Sequence, residues 1–303
     1  MKCTGKSSIL LMVLILMFGA AMTTLPAAAE TAWTENEWSF VDASMDVSNG
    51  IPEDAEGRLH MIRERGRLTV ATEPYFPPQE FIDREQIGQE RFVGSDMELA
   101  RLIAERMGVT LEIVPMAFSQ VLNEVADGKY DLAISALAFT AARASRLEMS
   151  KGYFYPEETA SSGLLIREED AETIRGIEDL AERDIAAQSD SLQETMGVEN
   201  IVFYRQFRRV SSVDDVYMAV RSGLVDAGIV DLESAGIYLA SHPESGLKLA
   251  ENVTFRLLPQ YQGDRVAAQK GEIQLICFVN GVIDEVLESG KYMEWYHQFA
   301  EEQ

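Results

Sequence analysis

The chain is poor in the residues that build disulfides, metal centres and histidine catalysis. Its 303 residues include two cysteines and three histidines. Cys3 lies in a basic leader expected to be removed, which leaves Cys277 alone and excludes an internal disulfide or, by spacing, a cysteine metal site. His60, His242 and His297 fall in no ligand or triad spacing, and no paired acid and base motif accompanies them. Gly5, Lys6 and Ser7 imitate the end of a phosphate loop but lack its upstream glycine. No cofactor is expected. Positive charge is also scarce: 26 Lys and Arg against 50 Asp and Glu give a formal charge of −24. Such a surface repels polyanions, which excludes nucleic acid and anionic membranes as partners and otherwise serves solubility. After the leader, no apolar run approaches the roughly 20 residues that a membrane span requires.

The leader itself is informative. Lys2 and Lys6 precede an unbroken apolar run over 9–18, and Ala27, Ala28 and Ala29 supply a small-residue cleavage site. This predicts a secretory signal over 1–29 and a product that is soluble and periplasmic or otherwise extracytoplasmic. Residues 30–57 hold eight acidic residues and no basic one, with Trp33, Trp38 and Phe40 among them. That segment reads as a flexible acidic tether or a strap lying on the first lobe.

One unit is used twice. VADGKYDLAIS (125–135) and VRSGLVDAGIV (220–230) align without a gap, matching Gly128 to Gly223, Asp131 to Asp226 and Ile134 to Ile229. In each, a helix ends at a glycine able to turn left-handed, and a short strand of small and branched apolar residues follows. Two α/β lobes follow from the repeat. Open parallel sheets bind ligands beyond the carboxyl ends of their strands, which points to 136–143 in one copy and Asp231 in the other.

The pattern predicts strands at 68–72, 111–116 and 131–136 in the first lobe, with helices at 95–108 and 119–128; Ser95 and Glu98 have capping-box spacing. In the second lobe it predicts strands at 184–188, 201–204 and 225–230, and helices from 191 and over 212–222. A helical region over 272–299 puts Tyr292, Trp295, Tyr296 and Phe299 on one face, expected to pack on the first lobe. The chain would then cross between lobes twice, with 58–160 and 260–303 in lobe 1 and 161–259 in lobe 2.

TEPYFPPQEF (72–81), VGSDMELARLIAERMGV (93–109), DGKYDLAISALAFTAAR (127–143) and GLVDAGIVD (223–231) together resemble the periplasmic amino-acid-binding proteins of ABC importers, the family 3 solute-binding proteins. The resemblance implies a type II periplasmic-binding-protein fold: two α/β lobes, each a mostly parallel sheet with flanking helices, joined by two crossover strands. It also implies a monomer that closes on a free amino acid or related amine and delivers it to the permease subunits of an ABC transporter. Arg143 then takes the ligand α-carboxylate, as its forked guanidinium suits, and Asp231 takes the α-ammonium. Phe76 and Phe118 match positions that stack on the ligand, and Glu73 matches an acidic residue that reaches the far end of polar or basic side chains. Gln188, Ser189 and Ser191 form the loop whose backbone N–H groups would hold the carboxylate opposite Arg143. Ala136 lies at the cleft edge in register with Asp231, and Ala138 stands where a threonine hydroxyl is usual. Ala141, Ala142, Asp190 and Gln79 also depart from the family pattern.

Two other readings use the same fold. One is a periplasmic dehydratase acting on cyclohexadienyl acids, with Glu73 as an acid or base in the closed cleft. The other is a ligand receptor that docks on a separate chemosensor, since no membrane helix follows the lobes in this sequence.

Overall fold

The computed structural model describes residues 40–155 and 160–301; the signal segment, its cleavage point, Trp33 and Trp38 lie outside them. The first lobe is built from α1 (Gly57–Arg65), β1 (Arg67–Thr72), β2 (Tyr75–Phe76), β3 (Glu80–Ile82), β4 (Phe92–Val93), α2 (Ser95–Met107), β5 (Thr110–Pro115), α3 (Phe118–Ala126), β6 (Leu132–Ala133), α4 (Ala141–Arg146) and β7 (Leu147–Phe154). The second comprises β8 (Ala160–Arg167), β9 (Asp184–Gln188), α5 (Leu192–Asn200), β10 (Gln206–Val210), α6 (Val213–Arg221), β11 (Ala227–Asp231), α7 (Leu232–Ser241) and β12 (Leu247–Arg256). The chain then returns to the first lobe with β13 (Asp264–Gln269), α8 (Ile273–Ser289) and α9 (Lys291–Glu301).

Each lobe holds a five-stranded sheet, ordered β5-β1-β6-β13-β7 in the first and β10-β9-β11-β8-β12 in the second. In each, one strand runs against the other four: β13 is antiparallel to both its neighbours, and so is β8. These are the two strands that have just crossed from the other lobe. They start at the cleft and run away from it, whereas the parallel strands run towards it. The crossings touch: Gly263 on the second is so close to Tyr155 on the first that a Cβ on it would lie 2.7 Å from the ring.

The duplicated unit forms as its residues dictate. Gly128 (φ 72°) and Gly223 (φ 73°) both turn left-handed after α3 and α6, whose apolar stripes over Val121, Leu122 and Val125, and over Val216, Ala219 and Val220, pack on the sheets. The aspartate immediately before each strand ties it to its neighbour. Asp131 Oδ2 accepts the N–H and hydroxyl of Thr69 at 2.7 Å each, and Asp226 Oδ2 accepts the N–H of Asp184 at 2.8 Å.

Several expectations are corrected. β6 is ladder-paired over two residues only, because Ala136 turns into the left-handed region (φ 46°) and ends the extended run. Residues 201–204 are not a strand; the strand follows at β10, and Val202 and Phe203 are exposed on the connection. Ser95 does not cap α2. Gly94 holds that position, and the Ser95 hydroxyl donates instead to the Tyr292 hydroxyl at 3.0 Å. Left-handed Gly290 divides the C-terminal helical region in two. The aromatic stripe still packs on the first lobe, with Tyr292 and Tyr296 buried in its core and Trp295 against it.

From residue 40 the acidic segment is a strap on the first lobe. The Val41 and Met45 N–H groups donate to Met149 and Cys277 carbonyls at 2.8 Å each, and the Asn280 amide donates to the carbonyls of Val41 and Ala43. Gly281 on α8 admits the strap, since a Cβ there would lie 2.1 Å from the Met45 carbonyl oxygen. Gly281→Ala is therefore expected to lift the strap and lower stability by about 1–3 kcal/mol. Urea unfolding and faster proteolysis of 40–57 would register it; an unchanged midpoint and unchanged protection would contradict the packing.

Candidate functional site

A cleft of about 550 Å³ separates the lobes. Its walls include Glu73, Phe76, Phe118, Ala136, Ala138, Arg143, Gln188, Ser191 and Asp231, so the sequence-predicted residues meet in one place with one exception. Ser189 does not line it: its N–H donates to the Val210 carbonyl at 2.9 Å and continues the β9–β10 ladder. The rest of that loop is also occupied. The Asp190 N–H donates to Glu194 Oε2 at 2.7 Å, and the Ser191 N–H to the Gln188 carbonyl at 3.4 Å. The Ser191 hydroxyl caps α5 by accepting the Glu194 N–H at 3.0 Å. The expected cradle of N–H groups over 188–191 is thus used internally. Leu192 and Gln193, which open α5, line the cleft in its place.

Arg143 sits on α4, started by Thr140, whose hydroxyl accepts the Arg143 N–H at 3.1 Å. Thr140 is outside the lining and does not replace the hydroxyl that Ala138 lacks. Arg143 is 8% exposed; its guanidinium lies over the Phe118 ring at 5.2 Å and donates to two carbonyls, Ala138 at 2.8 Å and, across the cleft, Asp190 at 3.0 Å. Among the described residues it forms no ion pair. Burial pulls its pKa down to about 10, against the pull of Asp264 and Asp190. A desolvated cation with only neutral hydrogen-bond partners is a site for an anion.

The opposite charge is plentiful. Asp231 caps α7 with one oxygen, Oδ1 accepting the N–H groups of Glu233 and Ser234 at 3.0 and 2.9 Å, which leaves Oδ2 outside the cap. Burial pushes its pKa up to about 7. Glu73, 2% exposed, is pushed to about 8 by burial, opposed by the bond its Oε1 accepts from the Val213 N–H at the head of α6. That bond crosses the cleft, as does the one from the Ser234 hydroxyl to the Pro77 carbonyl at 2.6 Å. Phe76 also crosses, packing on the second lobe's core. Among the described residues Gln188 Nε2 is a buried donor with no partner within bonding distance, although the Gln188 side chain is close enough to Glu73 to oppose the rise in its pKa.

Behind the first-lobe wall lies a polar floor. Asp96 accepts the Ala136 N–H and the Tyr153 hydroxyl at 2.9 Å each, and the Tyr292 hydroxyl at 2.7 Å. These bonds hold Ala136 in a conformation that alanine rarely adopts. Glu80 beside it accepts the Ser135 hydroxyl at 3.0 Å. Burial, then the charge of Asp96, drives its pKa well up. Gln79 donates from Nε2 to Asp264 Oδ2 at 2.8 Å.

Sequence reasoning missed Glu80, Ser161 and Asp264, all of which line the cleft. Ser161 and Asp264 sit at the starts of the two reversed strands, whereas the strand-end rule looked only at carboxyl ends. The second crossing between lobes was the signal that could have found them. The lining therefore sets Glu73, Glu80, Asp231, Asp264 and the more open Glu233 against Arg143 and the rim residue His297.

Residues 68–302 match the family model of bacterial extracellular solute-binding proteins, family 3. A Streptococcus pneumoniae amino acid ABC transporter substrate-binding protein bound to L-arginine superposes with a TM-score of 0.69 at 30% identity, covering 80% of this chain and 98% of that one. The L-cystine-binding protein of Escherichia coli K12 is 25% identical over 240 residues, 78% of this chain and 83% of the relative. A cyclohexadienyl dehydratase of Pseudomonas aeruginosa is 32% identical over 98 residues, 32% of this chain and 35% of its own. With two lobes, a charged cleft between them and a family match running over almost all of both, this chain belongs to the bacterial extracellular solute-binding proteins, family 3.

Proposed function

We propose that this protein is the extracytoplasmic receptor of an ABC importer, holding a free amino acid with a polar or basic side chain between its lobes and handing it to permease subunits. The observation that carries this reading is Arg143: a buried guanidinium, bonded only to carbonyls, in a cleft whose other wall presents Asp231. Those two groups match the two ends of a zwitterion. Phe76 and Phe118 flank the space between them, and Leu192 and Gln193 offer helix-start N–H groups to the carboxylate. Glu73 receives the far end of the side chain, and an acidic lining favours a cationic one. One chain supplies the whole lining, in keeping with a monomer.

The receptor is read as non-catalytic. Glu73, whose pKa burial raises to about 8, is the group suited to acid chemistry, and the local likeness to a dehydratase makes turnover of prephenate the direct check on that second reading.

A thermal-shift screen of the common amino acids and related amines tests the first. A ligand that binds only the native state raises the melting temperature, by about 2.7 kcal/mol of added stability at a hundred times its Kd. In the same screen Asp231→Asn, which keeps an oxygen for the α7 cap but loses the charge, is expected to bind at least tenfold more weakly. If no amino acid shifts the wild type, or the variant binds equally well, the reading is wrong.

A further inference from the structure

The cleft contains a carboxylate that the zwitterion does not account for. Asp264 opens β13 where the chain re-enters the first lobe, and it forms an isolated antiparallel bridge with Ala138. Residues paired in this way carry their side chains on the same face, with Cβ atoms about 4.5–5.5 Å apart. Both line the cleft. Ala138 brings no polar side-chain atom to that spot, and its cross-strand neighbour does. The Ala138 carbonyl also accepts Arg143 Nη1, so guanidinium and carboxylate flank the same residue. Gln79 Nε2 holds Asp264 Oδ2 at 2.8 Å from behind.

We propose that Asp264 is a second anchor for the ligand's α-ammonium, so that carboxylates from both lobes, Asp264 and Asp231, grip the amine while Arg143 holds the acid. The assignment rests on the receptor reading and goes beyond it: recognition is centred on a charged amine, and a ligand lacking that amine is rejected by carboxylates left facing each other. The electrostatics agree. Burial pushes the pKa of Asp264 to about 7, with the charges of Asp96 and Asp231 adding to it and Arg143 and the Gln79 bond opposing it. Asp264 is faced by Asp96 on α2, Glu80 on β3, Arg143 on α4, Tyr153 on β7, Asp231 on β11, its neighbour Arg265 on β13, and Tyr292 and Tyr296 on α9. A cation arriving between Asp264 and Asp231 lowers the pKa of both. Binding therefore releases protons near neutral pH, and affinity rises as pH climbs through about 7.

The test is calorimetry on wild type and Asp264→Asn at a slightly acidic pH, in two buffers of different ionisation heat. The probes are the common amino acid that binds most tightly and its analogue with hydrogen in place of the α-amino group. For L-arginine that analogue is 5-guanidinopentanoic acid; for L-glutamine it is glutaramic acid. Asparagine keeps an acceptor for Gln79, so the unliganded variant is expected to melt no lower than wild type. It is expected to bind the amino acid at least tenfold more weakly and the analogue within threefold of wild type. Wild type alone supplies a second arm: it releases protons on binding the amino acid and fewer on binding the analogue. Equal weakening of both probes, no weakening of either, or equal proton release for both would overturn the assignment of Asp264 and leave the receptor reading standing. Failure of every common amino acid to bind wild type would remove the receptor reading and this one with it.

Discussion

Replacing Arg143 by alanine is expected to weaken amino-acid binding by about thirtyfold or more while leaving the unliganded fold intact. Removing one partner of a buried charge pair costs about 2–5 kcal/mol in binding, and 2 kcal/mol is already about a thirtyfold change. The fold should tolerate the change because the guanidinium makes no ion pair among the described residues and its two bonds end on carbonyls at the cleft surface. Relief of a desolvated charge works against the lost packing on Phe118. Arg143→Lys is expected to recover only part of the affinity, since an ammonium lacks the planar fork that meets both carboxylate oxygens. Calorimetry decides the matter: wild-type affinity in the alanine variant would remove the anion site from this cleft.

The largest expected effect on stability comes from Gly94→Ala. Gly94 precedes α2 with φ 118° and ψ 166°, a region essentially confined to glycine. A Cβ there would lie 2.2 Å from the Gln79 carbonyl oxygen and 2.9 Å from that of Pro78. Neither oxygen is free to move, because the N–H groups of Asp96 and Ser95 donate to these same carbonyls at 2.9 and 3.2 Å. Backbone strain and a backbone collision act together here, so a loss of more than about 4 kcal/mol is expected. Any folded fraction should also lose ligand affinity, since Gly94 sets the start of the helix that carries Asp96 and, through it, Ala136. Urea unfolding measures the first effect; a change below about 1 kcal/mol would show that the small three-stranded sheet β2-β3-β4 ahead of α2 is looser than its hydrogen bonds imply.

Much of the fold was legible because the repeat exposes its own logic. Gly128 and Gly223, Asp131 and Asp226 recur at matching places because each lobe must end a helix, turn left-handed and pin a short strand to its neighbour. The segment 136–143, which holds Arg143, and Asp231 could be gathered into one site because parallel strands deliver their carboxyl ends to the same cleft, whereas Phe76, Phe118 and Glu73 were added to it by the resemblance to the family. What stayed hidden depends on long-range pairing. Nothing local in the sequence around Asp264 shows that its strand enters an otherwise parallel sheet backwards, with its first residue at the cleft. Ser95 has the spacing of a cap, yet Tyr292, far along the chain, takes its hydroxyl. The 188–191 loop could be located but not its use, because Glu194 and Val210 claim N–H groups that looked available.

The contact between Tyr155 and Gly263 bears on how the protein moves. Two bodies tied at a single point can swing and twist freely; tied at two neighbouring points, they keep one easy rotation, about the line through both. Under the proposed receptor reading, each closing stroke would then return Asp231 to the same alignment with Arg143, and an arriving solute would arrest one angle instead of several.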